Sequence, residues 1–118
     1  MKTEIVNIRA QMRKGILELC VLRFLRAGEA YPSDIIDALA KAQFKVVEGT
    51  IYTLLNRLRR EGKLDYIWRE SRQGPPRKYF YLTEAGLQTL AAMNEVWTEI
   101  ETTVNSFNTH YPTHETNL

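Results

Sequence analysis

Apolar residues recur at helical spacing along the first part of the chain. Between Ile5 and Arg26 they follow one another mostly at intervals of three and four residues, and no proline interrupts them. This spacing predicts one first helix across the whole segment. Gly28 ends it, and the stretch Pro32-Ser33-Asp34 is typical of a new helix start. A second helix is therefore predicted over residues 32–43.

A third helix is predicted over residues 48–61, because apolar residues again recur at helical spacing and Gly62 lies where a C-terminal cap belongs. Its opposite face carries hydroxyl, amide and guanidinium groups, which are able to read base edges and hold phosphates. The residues of this face are Glu48, Gly49, Thr50, Tyr52, Thr53, Asn56, Arg57 and Arg60. Gly49, in the first turn, would let the backbone approach a phosphate at the helix N-terminus. A helix face that is merely solvated is the alternative interpretation.

The period changes after Gly62. Residues 64–70 and 78–82 are rich in aromatic and aliphatic side chains, which predicts two strands of a hairpin. The segment between them predicts a loop whose tip is stiffened by Pro75 and Pro76. Cations crowd this hairpin, where they could lie along a row of phosphates. They are Arg69, Arg72, Arg77 and Lys78.

The last third of the chain predicts a long helix that Thr83-Glu84 caps and Pro112 ends. Its apolar residues alternate steps of three and four, which is typical of a seam between two helices. They are Leu90, Met93, Trp97, Ile100, Val104, Phe107 and Tyr111. With 118 residues the chain also leaves much apolar surface uncovered as a monomer, which favours a dimer. The expected fold is mainly α with a small β-hairpin and a long C-terminal dimerisation helix.

Charge divides the chain more sharply than its net value of +2 indicates. Residues 45–80 hold nine Lys and Arg against four Asp and Glu, whereas residues 81–118 hold none against five. A basic middle joined to an acidic end suggests that the middle meets a polyanion.

Several classes of protein find no support in the sequence. The longest apolar stretch, Ile16–Leu25, contains two charges and is too short to span a bilayer, and the first residues show no secretory pattern, so a cytoplasmic location is expected. Pro112 separates the only two histidines, His110 and His114, and Cys20 has no partner, so no metal site is predicted. No catalytic motif is present, and neither an enzyme activity nor a cofactor is expected.

Two segments resemble the PadR family of winged helix-turn-helix transcriptional regulators. Residues 49–62, GTIYTLLNRLRREG, resemble the recognition helix of the family, and residues 74–86, GPPRKYFYLTEAG, resemble its wing and the entry to its last helix. The resemblance covers nearly the whole chain, and the single C-terminal helix is similar to the compact subgroup. The expected organisation is a DNA-binding domain over residues 1–82, whose first helix also lies at the dimer interface, a dimerisation helix over 83–111 and a disordered tail over 112–118.

The resemblance implies a homodimer that binds double-stranded operator DNA, represses transcription and releases the DNA when a small hydrophobic or aromatic effector binds. Trp97 resembles a Trp in the last helix of the compact subgroup. In that subgroup the Trp and its dimer mate sandwich flat aromatic ligands at the dimer centre. Met93, Ile100, Ile8 and Met12 are the expected walls of such a site. Plain packing of Trp97 in the seam is the alternative. A winged-helix module that binds another protein, without sequence-specific DNA binding, is the alternative function, although such a module has no need of a basic wing.

Overall fold

The computed structural model describes residues 2–109. It contains helices α1 (Lys2–Arg13), α2 (Ile16–Arg26), α3 (Pro32–Lys41) and α4 (Glu48–Arg60), strands β1 (Leu64–Ser71) and β2 (Gly74–Leu82), and helix α5 (Glu84–Thr109). The predicted mainly α fold with a hairpin and a long last helix is confirmed. Tyr111, Pro112, both histidines and the predicted tail lie outside the described residues.

The predicted first helix is in fact two helices, and the prediction of one continuous helix was wrong. Gly15 separates α1 from α2 with a φ of 87°, in the left-handed region that glycine adopts without a steric penalty. Apolar spacing continues across this break from Met12 to Ile16, which is why the pattern hides it. None of the α1 residues is buried, whereas α2 contributes four residues to the core.

One hydrophobic core joins α2, α3, α4, the hairpin and the first turns of α5. Its fully buried members include Leu22, Ile35, Ile51 and Leu58. The four apolar residues that predict the inner face of α4 are all in this core, namely Ile51, Leu54, Leu55 and Leu58. The polar face of α4 is therefore turned outward, as predicted.

The hairpin is longer, and its turn shorter, than predicted. The strands are antiparallel and reach Ser71 and Gly74, so that only two residues remain between them. Pro75 and Pro76 lie within β2 and not at the tip. A bulge between Arg69 and Ser71 interrupts the pairing at this point, which accommodates residues that have no N–H to donate. A short bridge between Ala30 and Phe80 attaches the α2–α3 connection to β2.

A tight joint connects the end of α4 to the start of α5. Gly62 has a φ of 79° and ends α4, as its predicted cap. The Thr83 hydroxyl accepts a hydrogen bond from the Gly86 N–H at 3.1 Å and donates one to the Gly62 carbonyl oxygen at 2.6 Å, so the predicted cap of α5 is confirmed. The Thr83 N–H also donates to the Lys63 carbonyl oxygen at 3.1 Å. The end of α4 and the start of α5 are thus held together by hydrogen bonds of the Thr83 main chain and hydroxyl.

Candidate nucleic-acid interface

Helix α4 presents its polar face to solvent between two grooves. Nearly every residue predicted for this face is exposed: Glu48, Gly49, Thr50, Tyr52, Thr53, Asn56 and Arg60. A Cβ on Gly49 would meet nothing within 4 Å, so the first turn of the helix is open to a ligand. The predicted face therefore exists as one continuous surface, and Arg57 is its exception.

The groove between α4 and the hairpin has a volume of about 530 Å³. Tyr52 and Asn56 line it from α4, while Trp68 and Arg77 line it from the hairpin. Trp68 is 60% exposed although it is a large aromatic residue on a strand. Tyr31, just before α3, also lines the groove. Sequence reasoning missed Tyr31 and Trp68, because neither carries a charge nor belongs to the outer face of α4.

The groove on the other side of α4 has a volume of about 670 Å³ and reaches α2. Arg57 lies here and is held by two carboxylates, at 2.6 Å from Glu18 Oε1 and 3.0 Å from Glu61 Oε2. The Glu18 carboxylate is the main reason that the pKa of Arg57 is raised above its usual range. Lys63 lies 3.1 Å from the second carboxylate of this cluster, Glu61. Arg57 thus faces the protein's own acids, unlike the rest of the predicted face.

The basic middle segment contains cations of two kinds. The first kind is neutralised by a carboxylate, as in the pairs of Arg59 with Asp65 at 3.2 Å and of Arg69 with Glu29. The pKa of Asp65 is lowered mainly by the Tyr66 backbone N–H and further by Arg59. A cation whose charge is already matched by a nearby carboxylate adds little to attraction for a polyanion. Four of the nine cations in residues 45–80 belong to this kind: Arg57, Arg59, Lys63 and Arg69.

The remaining cations of this segment have no carboxylate partner among residues 2–109. Arg77 lies 4.6 Å from the Tyr31 ring centroid, and Lys78 lies 4.5 Å from that of Tyr66. Aromatic faces attract a cation but do not cancel its charge. The cations of this second kind are Lys45, Arg60, Arg72, Arg77 and Lys78. Lys45 was not predicted as a site residue, whereas the other four were.

The long helix α5 carries a row of exposed apolar side chains. Val96, Ile100 and Val104 are 47–60% exposed. Phe107 lies on the same helix and is also exposed. Leu90, which was predicted for the dimer interface, is only 3% exposed and packs in the core of its own chain. The prediction for Leu90 is corrected accordingly, and the exposed row begins beyond it.

An apolar groove of about 330 Å³ lies between the start of α2 and α5. Three of the predicted effector residues line it, namely Met93, Trp97 and Ile100. Ile8 and Met12 are not part of its lining and are exposed on α1. A single chain therefore brings together only the α5 half of the predicted effector site.

No helix within residues 2–109 is long and apolar enough to cross a membrane. Within the same range, no group of three or more His, Cys, Asp or Glu side chains is arranged to hold a metal ion.

An exposed polar helix, preceded by two core helices and flanked by a hairpin, defines the winged helix-turn-helix class, with α4 as its recognition helix and β1–β2 as its wing. The family model described as "Transcriptional regulator PadR-like family" matches residues 21–92. The chain belongs to this PadR-like family of transcriptional regulators.

Solved structures agree with this assignment. A PadR-like transcription factor from Bacteroides fragilis is 48% identical, with a TM-score of 0.72 over 86% of this chain and 98% of that chain. A PadR-like transcriptional regulator from Bacillus cereus is 36% identical, with a TM-score of 0.77 over 86% and 99%. PadR of Bacillus subtilis, solved in complex with operator DNA, is 27% identical, with a TM-score of 0.62 over 67% of this chain and 45% of that chain. The first two are named as a transcription factor and a transcriptional regulator, and the third is named as a complex with operator DNA.

Proposed function

We propose that this protein is a repressor that binds operator DNA as a homodimer and acts in the cytoplasm. Helix α4 enters the major groove, where its hydroxyl and amide groups read base edges. The wing lies beside it along the phosphate backbone. A small hydrophobic or aromatic effector lowers the affinity for the operator.

The observation that carries the proposal is the placement of the unpaired cations. Arg60 lies on α4, Arg72 at the wing turn, and Arg77 and Lys78 at the groove that joins these two elements. Cations that lack carboxylate partners release counterions from DNA when they meet phosphates, and this release supplies most of the sequence-independent affinity. The operator complex of the Bacillus subtilis relative supports the same use of the fold.

The exposed apolar row on α5 supports the homodimer. Met93, Trp97, Ile100, Val104 and Phe107 are the residues proposed for the interface, and α1 is proposed to cover part of it with Ile8 and Met12. Two recognition helices on one dimer must lie about 34 Å apart to enter successive major grooves. An effector that changes this spacing would change the affinity for DNA.

The apolar groove beside Trp97 supports the effector proposal. An indole and a thioether tolerate ligands of varied shape, because stacking and a flexible side chain adapt to them. A planar aromatic ligand is expected to quench the fluorescence of the wild-type protein. Equal quenching in the Trp97→Phe variant, in which Trp68 is the only indole left, would contradict this role of Trp97.

The DNA-binding proposal is tested with two adjacent arginines of α4. Arg60 has no carboxylate partner among the described residues, whereas Arg59 is paired with Asp65. Operator fragments are first selected from random DNA with the purified protein. The affinity is then measured across a series of salt concentrations. Arg60→Ala is expected to reduce the slope of log affinity against log salt by about one for each phosphate that the arginine neutralises.

Arg59→Ala is the matched control, because it removes the same side chain from the same helix but a charge that is already neutralised. Its slope is expected to equal that of the wild type. If both variants keep the wild-type slope, α4 does not lie against phosphates as proposed. If the wild-type protein has no salt-dependent affinity for any duplex, DNA binding is refuted and a protein partner becomes the better explanation.

A further inference from the structure

Three consecutive residues before α3 contact the wing, one after another. Glu29 binds Arg69 of β1 through both guanidinium nitrogens that face it. Ala30 exchanges two main-chain hydrogen bonds with Phe80 of β2, at 2.8 and 3.0 Å. The Tyr31 hydroxyl then accepts a hydrogen bond from Arg77 of β2 at 2.7 Å. The segment 29–31 thus attaches both strands of the wing to the start of α3.

The two arginines held by this segment are partners across the hairpin. Arg69 and Arg77 lie directly opposite each other in the register of β1 and β2. Like charges in such a position repel each other and destabilise the pair of strands. The segment gives the two arginines different partners, one charged and one neutral. Glu29 neutralises Arg69 and has its own pKa lowered by that contact, whereas the neutral Tyr31 leaves the charge of Arg77 intact.

Tyr31 is itself fixed on several sides. Its backbone N–H donates to the Asp34 carboxylate at 3.2 Å, and its ring centroid lies 5.4 Å from that of Tyr79. The guanidinium of Arg77 lies over the same ring. The long side chain of Arg77 is thereby held in one place at the edge of the groove between α4 and the wing.

We propose that Tyr31 is a positioning residue for DNA binding: it holds the unneutralised Arg77 guanidinium at the groove between α4 and the wing, ready to meet a phosphate of the operator backbone. This inference rests on the proposed function and adds a residue that has no need to touch DNA itself. A pre-arranged side chain loses less conformational freedom on binding, so the contact is stronger than that of an arginine free to move.

A double-mutant cycle on operator binding tests this role. Tyr31→Phe removes only the hydroxyl and keeps the ring. It is expected to weaken operator binding between about two-fold and ten-fold, the range that corresponds to ordering one long, flexible side chain on binding. Arg77→Ala is expected to weaken binding and reduce the salt slope. In the Arg77→Ala background, Tyr31→Phe is expected to cause no further loss, because the side chain that it positions is gone.

Tyr81→Phe is the matched control. It removes a hydroxyl from β2, the same strand as Arg77, and is expected to leave operator affinity unchanged. Urea unfolding of each variant shows whether a loss of affinity comes from a loss of folded protein. The midpoints of Tyr31→Phe and wild type are expected to agree, since the hydrogen bond that is lost lies at the surface.

Either of two other results would overturn the inference. If Tyr31→Phe weakens binding equally in both backgrounds, Tyr31 contacts DNA directly and does not act through Arg77. If Tyr31→Phe binds as tightly as wild type, Arg77 needs no positioning. In either case the wild-type affinity and the response of Arg60→Ala would still stand, so failure here is distinct from failure of the proposed function.

Discussion

Gly86 lies where α5 begins against the end of α4, and substitution by alanine is expected to strain that joint. A Cβ on Gly86 would lie less than 3.0 Å from the Lys63 carbonyl oxygen, and also 3.1 Å from its carbonyl carbon and 3.3 Å from Leu82 Cδ2. The first of these neighbours is main chain and cannot rotate away. Either α5 or the Lys63 carbonyl must therefore move.

The cost follows from three contributions. Overpacking costs about 1–3 kcal/mol, and loss of the hydrogen bond from the Thr83 N–H to the Lys63 carbonyl oxygen adds about 1 kcal/mol. Alanine returns up to about 1 kcal/mol through its higher helix propensity. The free energy of unfolding of Gly86→Ala is therefore expected to fall by about 1–3 kcal/mol.

Urea unfolding at one fixed protein concentration measures this change, because an oligomer's stability depends on concentration. Gly49→Ala is the matched control, since Gly49 is also helical but a Cβ there would have nothing within 4 Å of it. It is expected to be neutral or to stabilise the protein by up to about 1 kcal/mol. If the two variants unfold at the same urea concentration, the joint between α4 and α5 is not rigid and the reasoning fails.

Three other expectations concern assembly, charge and pH. Ile100→Glu places a charge in the exposed apolar row of α5 and is expected to give monomers without operator affinity; a normal dimer in sedimentation would refute that interface. Arg57→Ala breaks ion pairs that are partly exposed, so the free energy of unfolding is expected to fall by only about 0.5–1 kcal/mol while the salt slope of DNA binding stays unchanged; a reduced slope would place Arg57 on DNA instead. The pKa of Glu29 is below its ordinary value of 4.5 because Arg69 binds it, so its contribution to stability is present above that pH and is lost as the pH falls further. Urea midpoints between pH 7 and pH 3 are expected to decline less in Glu29→Gln than in wild type, and equal declines would exclude this contribution.

The elements that the sequence predicts well are those whose ends carry their own signals. Helices α3 and α4 begin and end near the predicted residues because Pro32 and Gly62 act locally. The break at Gly15 has a local signal in the glycine itself, but the apolar spacing passes through it unchanged and hides the break. The pair Pro75-Pro76 is read as a loop because proline lacks an N–H. In the structure both prolines lie between the paired residues Gly74 and Arg77, and the bulge at this point removes the need for their N–H groups.

The sequence predicts which residues lie on the outer face of α4, but not which cations are neutralised by carboxylates. Periodicity alone places Thr53 and Asn56 on the outer face of α4. It contains no information on which cations are neutralised, because some of the carboxylates come from distant parts of the chain and others, such as Asp65 beside Arg59, lie beyond the end of the helix. Glu18 precedes its partner Arg57 by 39 residues. Only the folded chain distinguishes Arg59 from its neighbour Arg60.

Helix α1 has consequences for how the protein comes together. It has 12 residues, none of them buried, and Gly15 separates it from α2. An isolated helix of this length is marginal in water, so α1 needs a covering surface to persist. If a second chain supplies that surface, helix formation and subunit association are a single coupled equilibrium. Amide exchange in residues 2–13 would then slow as the protein becomes more concentrated, which makes this segment a built-in reporter of assembly.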